Sequence, residues 1–122
     1  MDNAIGGRRV LAVVPAYNER DNIVSTIEDL RTNAPGVDYV IVNDGSKDDT
    51  LAICREHGYN VIDLPVNLGL AGAFQTGMRY AYEQGYDYAV QFDADGQHSA
   101  AYIEDMVALA ERNHVNIVIG SR

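Results

Sequence analysis

The chain has 122 residues, of which 47% are hydrophobic, so it is long enough for one packed domain. Its formal net charge is −9, which argues against nucleic acid as a partner, because nucleic-acid-binding surfaces need basic patches. A single cysteine excludes a disulfide within the chain. Residues 1–9 carry no signal-peptide pattern and no run is long enough to span a membrane, so we expect a cytoplasmic location, for a longer protein at the cytoplasmic face of a membrane.

Apolar runs alternate with helical patterns along the chain. The predicted strands are 10–14, 39–42, 60–64, 88–92 and 115–119. The predicted helices between them begin near Ile23, Asp48 and Leu70 and after a capping residue, Ser99. We expect Pro15 to stop the first strand. Residues 46–49 resemble a capping box, which predicts a helix over 48–57.

Strands rich in valine and isoleucine, each joined to the next by a helix, predict an α/β fold. Such βαβ units form a mostly parallel sheet with helices on both faces. The chain ends directly after the fifth predicted strand, without a helix to cover it. We therefore expect residues 1–122 to be one portion of a longer domain.

Polar loops follow four of the predicted strands, at 15–19, 43–46, 67–69 and 93–97. In open parallel sheets, ligands bind outside the carboxyl ends of the strands. Four such loops at one edge predict a shared binding site. Dinucleotide and P-loop readings are excluded, because neither Gly-x-Gly-x-x-Gly nor a Walker A pattern occurs.

Asp93 and Asp95 follow the fourth predicted strand. Two carboxylates this close repel each other unless a cation or a shared proton lies between them. Oxygen ligands favour a hard ion such as Mg²⁺ or Mn²⁺, although Asp-Ala-Asp-Gly is also good turn chemistry. An EF-hand calcium loop is excluded, because Gly96 comes too early in the loop. A haloacid dehalogenase-type phosphatase is excluded, because it needs a lysine after the Asp-x-Asp motif and Lys47 is the last lysine.

Five stretches of the chain form a recognisable set: 13–19, 42–50, 67–69, 92–98 and 120–122. Taken together, they resemble the family 2 glycosyltransferases, which have the nucleotide-diphospho-sugar transferase (GT-A, Rossmann-like) fold. The last two stretches are most similar to the polyprenyl-phosphate (dolichol-phosphate) mannosyl- and glucosyltransferase branch.

The resemblance implies a role for each matching residue. The implied substrate-binding residues are Pro15, Ala16, Tyr17, Glu19, Asp44, Asn67, Gly69, Asp93, Ala94 and Arg122, with Asp44 at the base and Arg122 near the phosphates. The implied ligands of Mg²⁺ or Mn²⁺ are Asp93, Asp95 and Gln97. His98 has a position more typical of a supporting or solvent-facing residue.

The resemblance also implies an activity: transfer of a sugar from a UDP- or GDP-linked donor to an acceptor, with polyprenyl phosphate as a candidate. Acceptor-binding residues and the catalytic base belong to the family's C-terminal half, so no catalytic residue is assigned and we expect this chain alone to be inactive. A non-catalytic nucleotide-sugar-binding domain is the alternative. An exposed edge of the fourth or fifth strand predicts a homodimer.

Overall fold

Strands and helices alternate throughout the computed structural model, which describes residues 7–94, 100–113 and 117–119. The predicted Ser99 cap and the start of the fifth predicted strand lie outside these residues. The described elements are β1 (Val10–Ala16), α1 (Ile23–Asn33), β2 (Asp38–Asp44), α2 (Thr50–Glu56), β3 (Val61–Leu64), α3 (Gly69–Glu83), β4 (Tyr88–Gln91), a 3₁₀ turn (Ala100–Tyr102), α4 (Ile103–Asn113) and β5 (Ile117–Ile119).

The five described strands form one sheet in the order β3-β2-β1-β4-β5, and every neighbouring pair is parallel. The predicted α/β fold is thus confirmed. From β1 the chain builds outward to β2 and β3, then returns to place β4 on the other side of β1. The strand order therefore reverses between β1 and β4, and this reversal opens a crevice at the carboxyl ends of the two strands.

The two faces of the sheet bury alternate residues of β1, as the two-residue period of a strand requires. Val10, Ala12 and Val14 pack into the core under α1, α2 and α4. Leu11 and Val13 pack into a second core under α3. Helices therefore cover both faces of the sheet, as predicted. None of the described helices is long and apolar enough to cross a bilayer.

Pro15 lies inside β1 and does not end it, so this prediction was wrong. The strand continues to Ala16, where Pro15 pairs with Val42 and Ala16 with Asn43 of β2. Pairing with β4 has already ended at Val13, whose carbonyl accepts a bond from the Phe92 N–H at 2.9 Å. Two residues further on, Pro15 faces the same side, so its missing N–H removes no bond to β4. The proline thus lies where the crevice opens.

The predicted capping box at Ser46 was also wrong, and α2 begins at Thr50. Asp49 is the N-cap residue but makes no capping bond with its side chain. Instead, Asp48 accepts hydrogen bonds from the Thr50 N–H, at 2.9 Å, and from the Thr50 hydroxyl. Ser46 accepts from the Asn18 N–H at 2.9 Å. The serine therefore joins two loops and does not cap its own helix.

Gly77 allows α3 to approach β1 closely. A Cβ added at this position would lie 2.2 Å from Cγ1 of Val13 and 3.0 Å from its Cβ. Real Cβ atoms do not approach this closely, so any side chain would push the helix away from the sheet. The first residue of α3, Gly69, lies at the crevice. The close contact at Gly77 therefore also limits how far the start of α3 lies from the ends of the strands.

We expect Gly77→Ala to lower the free energy of unfolding by about 1–2 kcal/mol, because overpacking outweighs the helix propensity that alanine adds. Urea denaturation measures the change. Gln75→Ala, at an exposed position of the same helix, is the control and should change stability by less than about 0.5 kcal/mol. Equal stability of the two variants would contradict the close approach.

Candidate functional site

A cleft of about 350 Å³ opens at the carboxyl ends of β1, β2 and β4. It lies at the crevice where the strand order reverses, which is where open α/β sheets bind their ligands. Its walls come from the β1–α1 loop, the end of β2, the start of α3 and the segment after β4. The lining residues are Pro15, Ala16, Tyr17, Glu19, Asp44, Asn67, Gly69, Leu70, Asp93 and Ala94.

The carboxylate of Asp44 joins β2 to the start of α3. Only 3% of this residue is exposed. Oδ1 accepts a bond from the Leu68 N–H at 2.7 Å, and Oδ2 accepts from the Gly69 N–H at 3.0 Å. The Asn67 side chain adds a bond of 3.2 Å to Oδ2 and one of 3.0 Å to the Asp44 carbonyl. Asp44 thus satisfies N–H groups that the helix itself leaves without partners.

The β1–α1 loop is tied to the loop before α2 by several hydrogen bonds. Asn18 is the hub, and it adopts a left-handed conformation with φ of 53°. Its side-chain oxygen accepts from the Lys47 N–H at 2.8 Å, while the Glu19 N–H donates to Thr50 Oγ1 at 3.0 Å. This bracing holds Tyr17, which is 42% exposed, at the rim of the cleft.

The carboxyl of Asp48 belongs to the same bracing. Burial alone would raise the pKa of this carboxyl, but hydrogen bonds from Thr50 and from the Arg20 N–H outweigh burial and lower the pKa below its ordinary value. Asp48 is therefore ionised at neutral pH and serves as an acceptor within the loop.

Asp93 lies on the β4 side of the cleft, and Ala94 beside it is buried. The Gln91 side chain donates to Asp93 Oδ1 at 3.0 Å, which orients the carboxylate. Asp95, Gln97, His98 and Arg122 lie outside the described residues. Within the ranges that the structure describes, no cluster of three or more His, Cys, Asp or Glu side chains could hold a metal ion.

Nine of the ten predicted substrate-binding residues line this one cleft, the exception being Arg122, which lies outside the described residues. The roles of these residues remain predictions. Leu70 and Asn18 were missed. Leu70 is 57% exposed at the cleft wall. Its position directly after Gly69, a predicted substrate-binding residue, could have identified it. The signal of Asn18 was residue type, because asparagine tolerates left-handed backbone.

A larger cleft of about 670 Å³ lies between α2 and the ends of β2 and β3. Asn43 lines it, donating to Asp63 Oδ1 at 3.0 Å. We assign the site to the smaller cleft because the larger one lies beside β3, at the border of the sheet, and away from the reversal of strand order. Open α/β sheets bind their ligands where the strand order reverses.

A parallel sheet with helices on both faces and a polar cleft at its switch point defines a doubly wound α/β protein. The sequence matches "Glycosyl transferase family 2" over residues 11–122. The chain belongs to this family.

Two curated relatives and one solved structure illustrate the similarity. The undecaprenyl-phosphate mannosyltransferase of Micrococcus luteus is 33% identical, over 93% of this chain and 48% of the relative. The UDP-N-acetylglucosamine–dolichyl-phosphate N-acetylglucosaminyltransferase of Methanococcus voltae is 35% identical, over 93% of this chain and 51% of the relative. The chain thus spans about half the length of these relatives.

The solved structure is the mannosyltransferase PcManGT from Pyrobaculum calidifontis in complex with GDP-Man and Mn²⁺. It superposes with a TM-score of 0.73 at 22% identity, over 84% of this chain and 32% of that one. At this identity the likeness concerns the fold. The predicted GT-A fold is confirmed.

We expect Asp44→Ala to lower the free energy of unfolding by about 2–3 kcal/mol, because it removes charge-assisted bonds and leaves the part-buried N–H groups of Leu68 and Gly69 without this acceptor. Thermal and urea denaturation measure the loss. Asp21→Ala is the control, since the Asp21 side chain is 91% exposed and its ion pair with Arg20 is 3.9 Å long. The control should change stability by less than about 0.5 kcal/mol, and a similar loss in both variants would contradict the capping role of Asp44.

Proposed function

We propose that this chain is the donor- and metal-binding portion of a glycosyltransferase that takes a sugar from a nucleotide-diphosphate sugar. One observation carries the proposal: residues from four separate loops, which the sequence predicts to bind the substrate, line a single cleft at the switch point of the sheet. Binding of the acceptor and its activation by a catalytic base are proposed to need other residues, since the chain spans about half the length of its curated relatives.

The nucleoside would occupy the side of the cleft formed by the β1–α1 loop and the start of α3. Tyr17 and Pro15 offer ring faces to a base, and stacking on an aromatic side chain contributes about 1–3 kcal/mol. Asp44 offers a buried acceptor to the base. The first-turn N–H groups of α3, together with the helix dipole, favour oxygen atoms and negative charge at this wall.

The diphosphate would lie toward Asp93. A carboxylate there repels phosphate, so this corner of the cleft requires a cation. Asp93, Asp95 and Gln97 supply only oxygen ligands, a donor set that suits Mn²⁺ or Mg²⁺. When bound, such an ion would offset the charge of the diphosphate leaving group. PcManGT, which shares this fold, was solved with GDP-Man and Mn²⁺.

For the acceptor we propose a polyprenyl phosphate. The support comes from the two curated relatives, whose names specify undecaprenyl phosphate and dolichyl phosphate as acceptors. We also propose that the protein acts on the cytoplasmic side of the membrane, where its single cysteine, Cys54, would remain reduced.

Thermal-shift measurements with UDP- and GDP-sugars, with and without Mn²⁺, test the donor and metal assignment. We expect one donor class to raise the melting temperature only when Mn²⁺ is present, since ligand at about 100 times its Kd stabilises by about 2.7 kcal/mol. Asp95→Ala should abolish the Mn²⁺-dependent part of the shift. Asp105→Ala, an exposed acid on α4, is the control and should retain it.

Two results would count against this proposal. If no nucleotide sugar shifts the melting temperature, with or without Mn²⁺, the cleft is not a donor site. If Asp95→Ala keeps the full Mn²⁺-dependent shift, Asp95 is not a metal ligand.

We further propose a homodimer formed through the β5 edge of the sheet. β4 pairs with β1 and with β5, so it has no open edge, whereas β5 borders the sheet over the described residues. An open edge offers backbone groups for pairing with a second chain. Light scattering at tens of micromolar should give twice the monomer mass; a monomer mass at this concentration would refute the proposal.

A further inference from the structure

The carboxylate of Asp44 has little hydrogen-bonding capacity left for a ligand. An ionised carboxylate accepts about four hydrogen bonds, two at each oxygen. Oδ2 already accepts two, from the Gly69 N–H and the Asn67 side chain, and Oδ1 accepts one, from the Leu68 N–H. One acceptor position remains, and it is on Oδ1.

Asn67 keeps Oδ2 occupied. Its amide nitrogen is 3.2 Å from Oδ2 and 3.0 Å from the Asp44 carbonyl oxygen, so both of its hydrogens are directed at the same residue. Asp44 itself is 3% exposed, whereas Asn67 and Leu68, which donate to it, are exposed residues. The pattern therefore depends on the hydrogen bonds themselves and not on exclusion of water. The side chain therefore presents a fixed pattern to the cleft: one open acceptor beside a closed one.

We propose that this pattern selects a donor with a uracil base over one with a guanine base, an inference that rests on the function proposed above. The recognition edge of uracil carries one N–H between two oxygens. The corresponding edge of guanine carries a ring N–H next to an amino group, a pair that matches two open acceptors on one carboxylate. Here the second acceptor is closed, and the guanine amino group would be buried without a partner.

The other polar groups around the cleft are consistent with this choice. Leu70 belongs to the first turn of α3, whose N–H groups lack partners within the helix and suit the uracil oxygens. Two further carboxylates line the cleft, those of Glu19 and Asp93. Each already accepts from a side-chain amide, Glu19 from Asn22 at 3.2 Å and Asp93 from Gln91 at 3.0 Å. Asn67 is therefore a specificity-determining residue that acts by positioning Asp44.

The test compares the binding of UDP, GDP and IDP to the protein in the presence of Mn²⁺, by calorimetry. IDP has the purine ring of GDP without the amino group, so it separates the number of N–H donors from the size of the base. We expect UDP to bind more tightly than GDP by roughly 5- to 150-fold, the cost of one buried unpaired donor. We expect IDP to bind more tightly than GDP as well.

Asn67→Ala opens the second acceptor and should bring the UDP-to-GDP ratio close to one, mainly by strengthening GDP binding relative to UDP. Asn60→Ala is a matched control at the other end of β3: its amide also donates to a carbonyl, that of Tyr39, at 3.0 Å, and to an oxygen, the Tyr80 hydroxyl, at 3.2 Å. The control should keep the wild-type ratio.

Each outcome has a separate meaning. GDP binding as tightly as UDP or IDP to the wild-type protein would overturn the inference and leave the proposed function standing. A wild-type preference for UDP that Asn67→Ala does not reduce would also overturn it. If Asn67→Ala fails to fold, the comparison of IDP with GDP on the wild-type protein decides. If none of the three binds with Mn²⁺, the proposed function itself fails.

Discussion

The bond between the Asp44 carboxylate and the start of α3 connects the main parts of this structure. A buried carboxylate is costly unless donors surround it, and the first N–H groups of a helix are costly unless acceptors meet them. Here the Asp44 carboxylate accepts hydrogen bonds from these N–H groups, so both requirements are met between β2 and the β3–α3 loop. This set of hydrogen bonds lies at the end of β2, caps the start of α3 and forms part of the cleft wall.

The position of that wall depends on two features of the sheet. The reversal of strand order between β1 and β4 separates the loops after these strands, which leaves room for a ligand between them. Gly77 then allows α3 to pack against Val13, so the helix lies close to the sheet and its first turn reaches the crevice. Pro15 is tolerated in β1 because pairing with β4 has already ended at this level.

Charge distribution explains why a metal belongs to the proposed chemistry. The chain has a net charge of −9, and three acidic residues, Glu19, Asp44 and Asp93, line the cleft. The charge of Asp44 is offset by N–H donors, whereas Asp93 accepts one hydrogen bond from the Gln91 side-chain amide and stands two residues before Asp95 in the sequence. A diphosphate could therefore approach the Asp44 wall without a cation but needs one at the Asp93 corner.

Much of the architecture followed from sequence alone, because the period of the apolar residues and the residue types at strand ends are local properties. Alternating strand and helix patterns were enough to predict the α/β class. The rule that ligands bind at the carboxyl ends of parallel strands predicted that four loops share one binding site. The family was also identified from these loops, and the match over residues 11–122 agrees with it.

Tertiary structure decided the details that depend on partners distant in sequence. Ser46 looked like a helix cap but accepts from Asn18, 28 residues earlier. Asp44 was expected to contact the base, yet donors 23 to 25 residues later occupy most of the acceptor positions of its carboxylate. A local pattern states which hydrogen bonds a side chain is able to make. Only the packed chain determines which of them it does make, because the competing partners are brought within reach by folding.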